Sequence, residues 1–139
     1  MQNLGMYFKT RYLKNVCTAV LGLFIAGCIT SEAMLEREPI LEVESKFPVS
    51  AVRDCVFRWA DNPGFRLQYH PDGVWIRDPF GAAVALVTQS DGVARVYHHW
   101  NAAPAKKHLV FLTETCVQDP SERPPSNFWR TTPQPRGDS

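Results

Sequence analysis

Between Phe47 and Val117 the apolar positions follow two different periods. From Phe47 to Ala60, Val49, Val52, Val56 and Trp59 recur every three or four residues with Cys55 beside them, while Arg53, Asp54 and Arg58 fall on the other side. That spacing predicts an amphipathic helix. Pro48 or Ser50 suits its first turn, and Asp61-Asn62-Pro63-Gly64 ends it. The period then drops to two. Phe65, Leu67 and Tyr69 alternate with Arg66, Gln68 and His70, and after Pro71-Asp72-Gly73 a second strand is expected over Val74 to Asp78. Pro79-Phe80-Gly81 and Ser90-Asp91-Gly92 punctuate two more, Ala83 to Thr88 and Val93 to Trp100. Asn101 to Val117 returns to helical spacing, with Leu109, Leu112 and Cys116 on one face and Pro104 in the first turn. Lys106, Lys107 and His108 crowd that turn, where the helix dipole disfavours cations. The expected fold is two-layer α+β: a four-stranded antiparallel meander with an N-terminal and a C-terminal helix on one face, in the order α-β-β-β-β-α.

Two segments flank this unit of residues 47–117. Residues 28–46 carry Glu32, Glu36, Glu38, Glu42 and Glu44 against Arg37 and Lys46, and read as an acidic tether. Ala33 to Arg37 can form a transient helical turn that Pro39 ends. The tether is either a flexible spacer or, over Ile40 to Val43, an edge strand added to the sheet. Residues 118–139 hold Pro120, Pro124, Pro125, Pro133 and Pro135 among polar residues and read as a disordered or polyproline tail. Phe128-Trp129-Arg130 interrupts the tail, either as a docking motif for a partner or as a segment folded back on the domain.

The first 27 residues have a different character. Lys9, Arg11 and Lys14 stand without any acid, and Val16 to Ala26 is an uncharged apolar run of 11 residues. A membrane-spanning helix needs roughly 20 such residues, so the run fits the apolar region of an export signal. Leu23-Phe24-Ile25-Ala26-Gly27-Cys28 follows the order aliphatic, small, small, cysteine. This resembles the lipobox of bacterial lipoproteins, with Ile25 where Leu is commoner. The resemblance covers about the first 28 residues. It implies cleavage before Cys28, a diacylglyceryl group on its sulfur and acylation of its new amino terminus, including palmitate-type chains. A plain secretory signal and an uncleaved short anchor are the alternative readings. One acyl chain holds a protein to a membrane only marginally and two hold it stably. Ile29 follows the cysteine; in the lipoprotein family Asp at that place resembles a signal for inner-membrane retention, so the resemblance implies the periplasmic face of the outer membrane in a Gram-negative host. A looser likeness, to small exported lipoproteins with a cysteine in each of two helices flanking Gly-turned strands, carries no activity with it.

Charge and cysteines follow from that division. The chain has 15 Lys+Arg and 14 Asp+Glu; losing Lys9, Arg11 and Lys14 leaves 12 against 14, a net charge of −2 with His neutral. This lacks the clustered basic face that nucleic-acid binding requires, and no nucleic-acid partner is expected. Of the four cysteines, the lipobox resemblance implies that Cys17 would leave with the signal and Cys28 would take lipid. Cys55 and Cys116 remain, and in an oxidising compartment they are expected to pair; two buried free thiols are the alternative.

Few residues suggest chemistry. His70, His98, His99 and His108 raise a metal site, but neighbours on a strand point to opposite faces, so His98 and His99 do not share an ion and no metal or other cofactor is expected. Neither Gly-x-Ser-x-Gly nor a phosphate loop occurs, and Asp72, Asp78 and Asp91 fall at turns that Asp favours for local bonds. No catalytic residue is expected. Arg66, Gln68, Trp75 and Arg77 project from the sheet face opposite the helices and form a candidate interaction surface, since Trp and Arg are enriched at interface hot spots. The expectation is a non-enzymatic lipoprotein presenting a disulfide-stapled domain to an envelope protein. The alternative is a periplasmic inhibitor or soluble-ligand binder.

Overall fold

The computed structural model describes residues 31–99 and 106–134. The signal, Cys28, the helix start expected at Asn101 and residues 135–139 lie outside them. The elements are α1 (Ser31–Leu35), β1 (Leu41–Glu44), α2 (Val49–Ala60), β2 (Arg66–His70), β3 (Gly73–Arg77), β4 (Ala83–Ser90), β5 (Val93–His98) and α3 (Lys106–Gln118), followed by a 3-10 turn over Phe128–Arg130.

The fold class is α+β, with one antiparallel sheet in the order β1-β5-β4-β3-β2. β2 to β5 are the four meander strands expected from the alternation. The sheet has five strands rather than four, because the acidic segment supplies β1 at the edge beside β5, pairing Leu41 with Val96 and Glu44 with Val93. Alternation explains why a segment with five glutamates joins a sheet. Leu41 and Val43 pack on the core while Glu42 and Glu44 stay exposed, and Glu42 meets Arg95 of β5 at 3.3 Å.

α2 and α3 lie side by side on one face, called the inner face here. Val52, Cys55, Val56 and Trp59 of α2 and Leu109, Leu112, Cys116 and Val117 of α3 bury against Val74, Ile76, Ala85, Val87, Ala94 and Val96 of the strands. Cys55 and Cys116 are joined by a disulfide between the helices, both fully buried. Pro48 occupies the N-cap of α2 in an extended conformation, as its fixed φ and missing N–H allow.

Two segments depart from the expectation of loose chain. α1 is docked on the opposite, outer face. Met34 is 0% exposed and packs with Trp75, Ala83, Leu86 and Tyr97. Burying such a side chain stabilises by about 1.5–3 kcal/mol, enough to hold a helix too short to persist alone. The proline-rich segment after α3 is likewise packed through Thr131. Phe128 is buried with its ring edge-on to Trp59 at 4.9 Å. Trp59 Nε1 donates to Glu122 O and Trp129 Nε1 donates to Trp59 O, each at 3.0 Å. His108 stacks on Trp129 at 5.1 Å and its Nε2 lies 2.8 Å from Thr131 O, which places the proton on that nitrogen. Proline-rich composition argues against an independent fold, but these aromatic rings and indole N–H groups find partners on a surface already built.

One glycine does more than turn the chain. The β2–β3 connection is Pro71-Asp72 alone, since His70 pairs with Gly73, and Gly73 belongs to β3. A Cβ on Gly73 would sit 1.8 Å from Val87 O and 2.8 Å from Thr88 Cα. β3 and β4 therefore approach more closely here than any side chain permits. The β4–β5 hairpin is closed by Asp91 and Gly92 with φ of 52° and 73°, the left-handed pair that a two-residue turn demands.

Two stability predictions follow from these contacts. Replacing both Cys55 and Cys116 with Ala opens a loop of sequence separation 61, and should lower unfolding free energy by about 4 kcal/mol in the chain-entropy view, read from urea unfolding. Gly73→Ala forces backbone apart and should destabilise by roughly 1–3 kcal/mol; an unchanged urea midpoint would show that β3 and β4 separate freely.

Candidate functional site

The outer face of the sheet is ordered in cross-strand rows. Tyr97, Leu86, Trp75 and Gln68 form one row, reading from β5 to β2. Arg77 and Arg66 are direct partners in the next. Arg66, Gln68, Trp75 and Arg77 thus share the face opposite the helices, as the alternation of the strands requires.

Their environments differ. Trp75 is 5% exposed, roofed by Met34. The guanidinium of Arg77 lies 5.5 Å from the Trp75 ring centre, its Nε donates to Gln68 Oε1 at 3.1 Å and its Nη1 to Gly81 O at 3.1 Å. Trp75 is therefore a core residue of the outer layer, withdrawn from the surface expected of it. Arg77 is half-buried and ties β3 to the following turn. Arg66 and Gln68 are exposed. The sequence did not reveal the cover, because Ala33-Met34-Leu35 is a short apolar run between Glu32 and Glu36 whose destination is set only by the sheet.

The sheet ends in β1 on one side and β2 on the other, and the rim made by β2 adjoins these residues. Among the described residues this strand bonds to β3 on one side only, which leaves its other edge without a strand partner. Beside it, on the inner-face side, Tyr69 is 53% exposed and stacks flat on Phe57 of α2, with ring centres 4.5 Å apart. Arg53 lies over the same Tyr69 ring at 5.1 Å. Gln68 and the Tyr69–Phe57–Arg53 stack flank the open edge, one on each face. Tyr69 was legible as an apolar strand position, but Phe57 lies off the apolar stripe read for α2 and their meeting was not legible.

The histidines do not converge. His98 is buried in a row with Ala85 on the inner face. His70 stands on the outer face with its ring 6.2 Å from Trp75. His108 is engaged by the tail. Among the described residues, no group of three or more His, Cys, Asp or Glu is placed to hold a metal ion. Asp78, at the β3–β4 turn, accepts the backbone N–H groups of Phe80 and Ala82 at 2.9 Å each, the local turn bonding expected of it.

A shallow groove of about 440 Å³ lies between α3 and the segment that returns past it, with Lys107, Val110, Phe111, Glu114 and Pro133 among its walls. Its lining combines the apolar Val110, Phe111 and Pro133 with the charged Lys106, Lys107 and Glu114.

The contrast between covered and open residues is measurable. Trp75→Ala should cost about 3–5 kcal/mol of unfolding free energy, as for a buried large aromatic. Gln68→Ala should stay within about 0.5 kcal/mol, as for an exposed site. Equal effects in chemical denaturation would show that the two share one environment.

Compared with protein-family models, with curated proteins and with solved structures, the chain finds no match.

Proposed function

We propose that the chain is a lipid-anchored lipoprotein of the bacterial envelope, held at the periplasmic face of the outer membrane through acylated Cys28, and that its domain serves protein interaction rather than catalysis. The observation that supports this most is the pairing of Cys55 with Cys116 inside the core. A disulfide suits an exported protein. It also leaves Cys28, at the lipobox-like pattern, as the remaining cysteine once the signal carrying Cys17 is removed.

The partner surface in this reading is the open edge of β2. An extended segment of another protein adds to such an edge through main-chain hydrogen bonds, and side chains flanking the edge supply selectivity. Gln68 on one face and the stacked Tyr69 and Phe57 on the other supply those flanks. Natural proteins usually blunt exposed edges against unwanted pairing; β2 has Arg66 at its start and no proline or bulge within it.

A second reading, a periplasmic inhibitor or soluble-ligand binder, draws on the groove beside α3. Its mixed apolar and charged lining fits a small amphipathic molecule in kind, and recovery of a bound small molecule by native mass spectrometry would favour it.

The intact mass of protein extracted from membranes in detergent tests the first reading. Residues 28–139 plus acyl chains are expected, with no thiol alkylated until reductant is added. An unacylated mass would remove the anchor, and alkylation before reduction would remove the disulfide. A photo-crosslinker at Tyr69 should then capture a discrete envelope protein in cells, and one at Asp119 should not; equal capture at both would count against the β2 edge.

A further inference from the structure

We propose that the end of the domain carrying α1 and the β3–β4 turn rests on the anionic bilayer surface in which the chain's own anchor is embedded. The proposal builds on the lipid-anchor reading above and adds an orientation to it. The first argument is reach. α1 is fixed to the sheet by Met34, which is 0% exposed among Trp75, Ala83 and Leu86. Only Ile29 and Thr30 separate Cys28 from Ser31, where α1 begins. An extended residue spans at most about 3.6 Å, so the lipidated residue lies within roughly 11 Å of α1. Of residues 31–46, which a spacer would need, Ser31–Leu35 form α1 and Leu41–Glu44 form β1.

The second argument is what that end displays. Ala83, at the start of β4, belongs to the same buried cluster as Met34, so the β3–β4 turn neighbours α1. Phe80 at its tip is 96% exposed, and Leu35 of α1 is 45% exposed. The turn is stiff. Asp78 accepts from the N–H groups of Phe80 and Ala82, Asp78 N–H donates to Ala82 O at 2.9 Å, and Arg77 holds Gly81 O. A rigid turn that projects a phenyl ring into water suits the headgroup boundary, where aromatic and aliphatic side chains of surface-lying segments bury.

The third argument is charge. Arg66 and Arg77 stand directly opposite each other, a like-charge pairing that is unfavourable by itself. Among the described residues neither has a carboxylate within salt-bridge distance. An anionic surface relieves that repulsion. α3 starts at the same end: His108 in its first turn stacks on Trp129, which meets Phe65 just ahead of β2. Its exposed Lys106 and Lys107 add to the cationic side. Glu36, Glu38 and the exposed Asp61 at the C-cap of α2 offset part of this charge, whereas the Asp78 carboxylate is occupied by the turn. Asp72 and Asp91 sit in the turns at the far end, where Ser45 N–H bonds Gly92 O and Lys46 follows.

The test uses the mature lipidated protein in vesicles of phosphatidylethanolamine and phosphatidylglycerol. A single thiol is introduced as Ala82→Cys beside Phe80, or as Lys46→Cys at the far end, and labelled with a fluorophore. Spin-labelled lipid bearing its nitroxide near the headgroup should quench the probe at position 82 several-fold more than that at position 46. Adding Phe80→Asp should remove most of the difference. Equal quenching at the two positions, with acylated Cys28 verified by mass, would overturn the orientation and leave the anchor intact. Absence of acyl chains at Cys28 would instead overturn the reading beneath it. Shielding of position 82 in native membranes but not in protein-free vesicles would assign this surface to a protein and also overturn the proposal.

Discussion

A sheet has two faces, and in this chain both carry apolar side chains. Val74, Ile76, Val87 and Val96 point to the inner face, and Trp75 and Leu86 to the outer, with Tyr97 beside them. One helical layer covers only one face. The rest of the architecture answers that constraint. α2 and α3, clamped by Cys55–Cys116, close the inner face. A single turn of helix from the N-terminal segment closes part of the outer one through Met34. In a domain this small, with limited interior to distribute, a few large side chains decide where whole segments lie.

Trp59 illustrates how closely the layers depend on each other. It sits on the apolar stripe of α2, packs near Phe111 of α3, and meets Phe128 edge-on. Its indole N–H and its backbone carbonyl both bond to the segment after α3. A buried indole N–H without an acceptor is unfavourable, so the returning chain completes the environment of Trp59 as much as Trp59 holds the chain. The two helices, the disulfide and the proline-rich return form one connected unit. The β2 edge and the Phe80 turn lie at its margins, where strand pairing among the described residues stops and the Phe80 ring stands exposed.

This division also orders the functional readings. The edge of β2 and the end bearing α1 are distinct surfaces of one small body, and a short link to an anchored cysteine would present them differently. The first would face along or away from the bilayer, and the second toward it. Arg66 lies where the two adjoin. An 18-residue flexible spacer would leave both surfaces free to tumble; docking of residues 31–46 makes orientation part of how such a protein would meet a partner.

Local pattern determined much of this protein. The period-three-to-four stripe of α2, the alternation of β2 to β5, their Asp-, Pro- and Gly-marked turns and the pairing of Cys55 with Cys116 were legible because each depends on neighbours close in sequence or on simple cysteine arithmetic. The face shared by Arg66, Gln68, Trp75 and Arg77 was legible for the same reason. Tertiary structure alone decided the remainder. Whether Leu41–Glu44 pairs, whether Met34 roofs Trp75, and whether Phe128 and Trp129 fold back all depend on surfaces that exist only once the sheet and helices have assembled. Composition marked those segments as acidic or proline-rich and so as loose chain, whereas one or two apolar side chains in each found a complementary site. Gly73 reads as a turn residue, and only the approach of β3 to Val87 makes it a strand residue that admits no side chain.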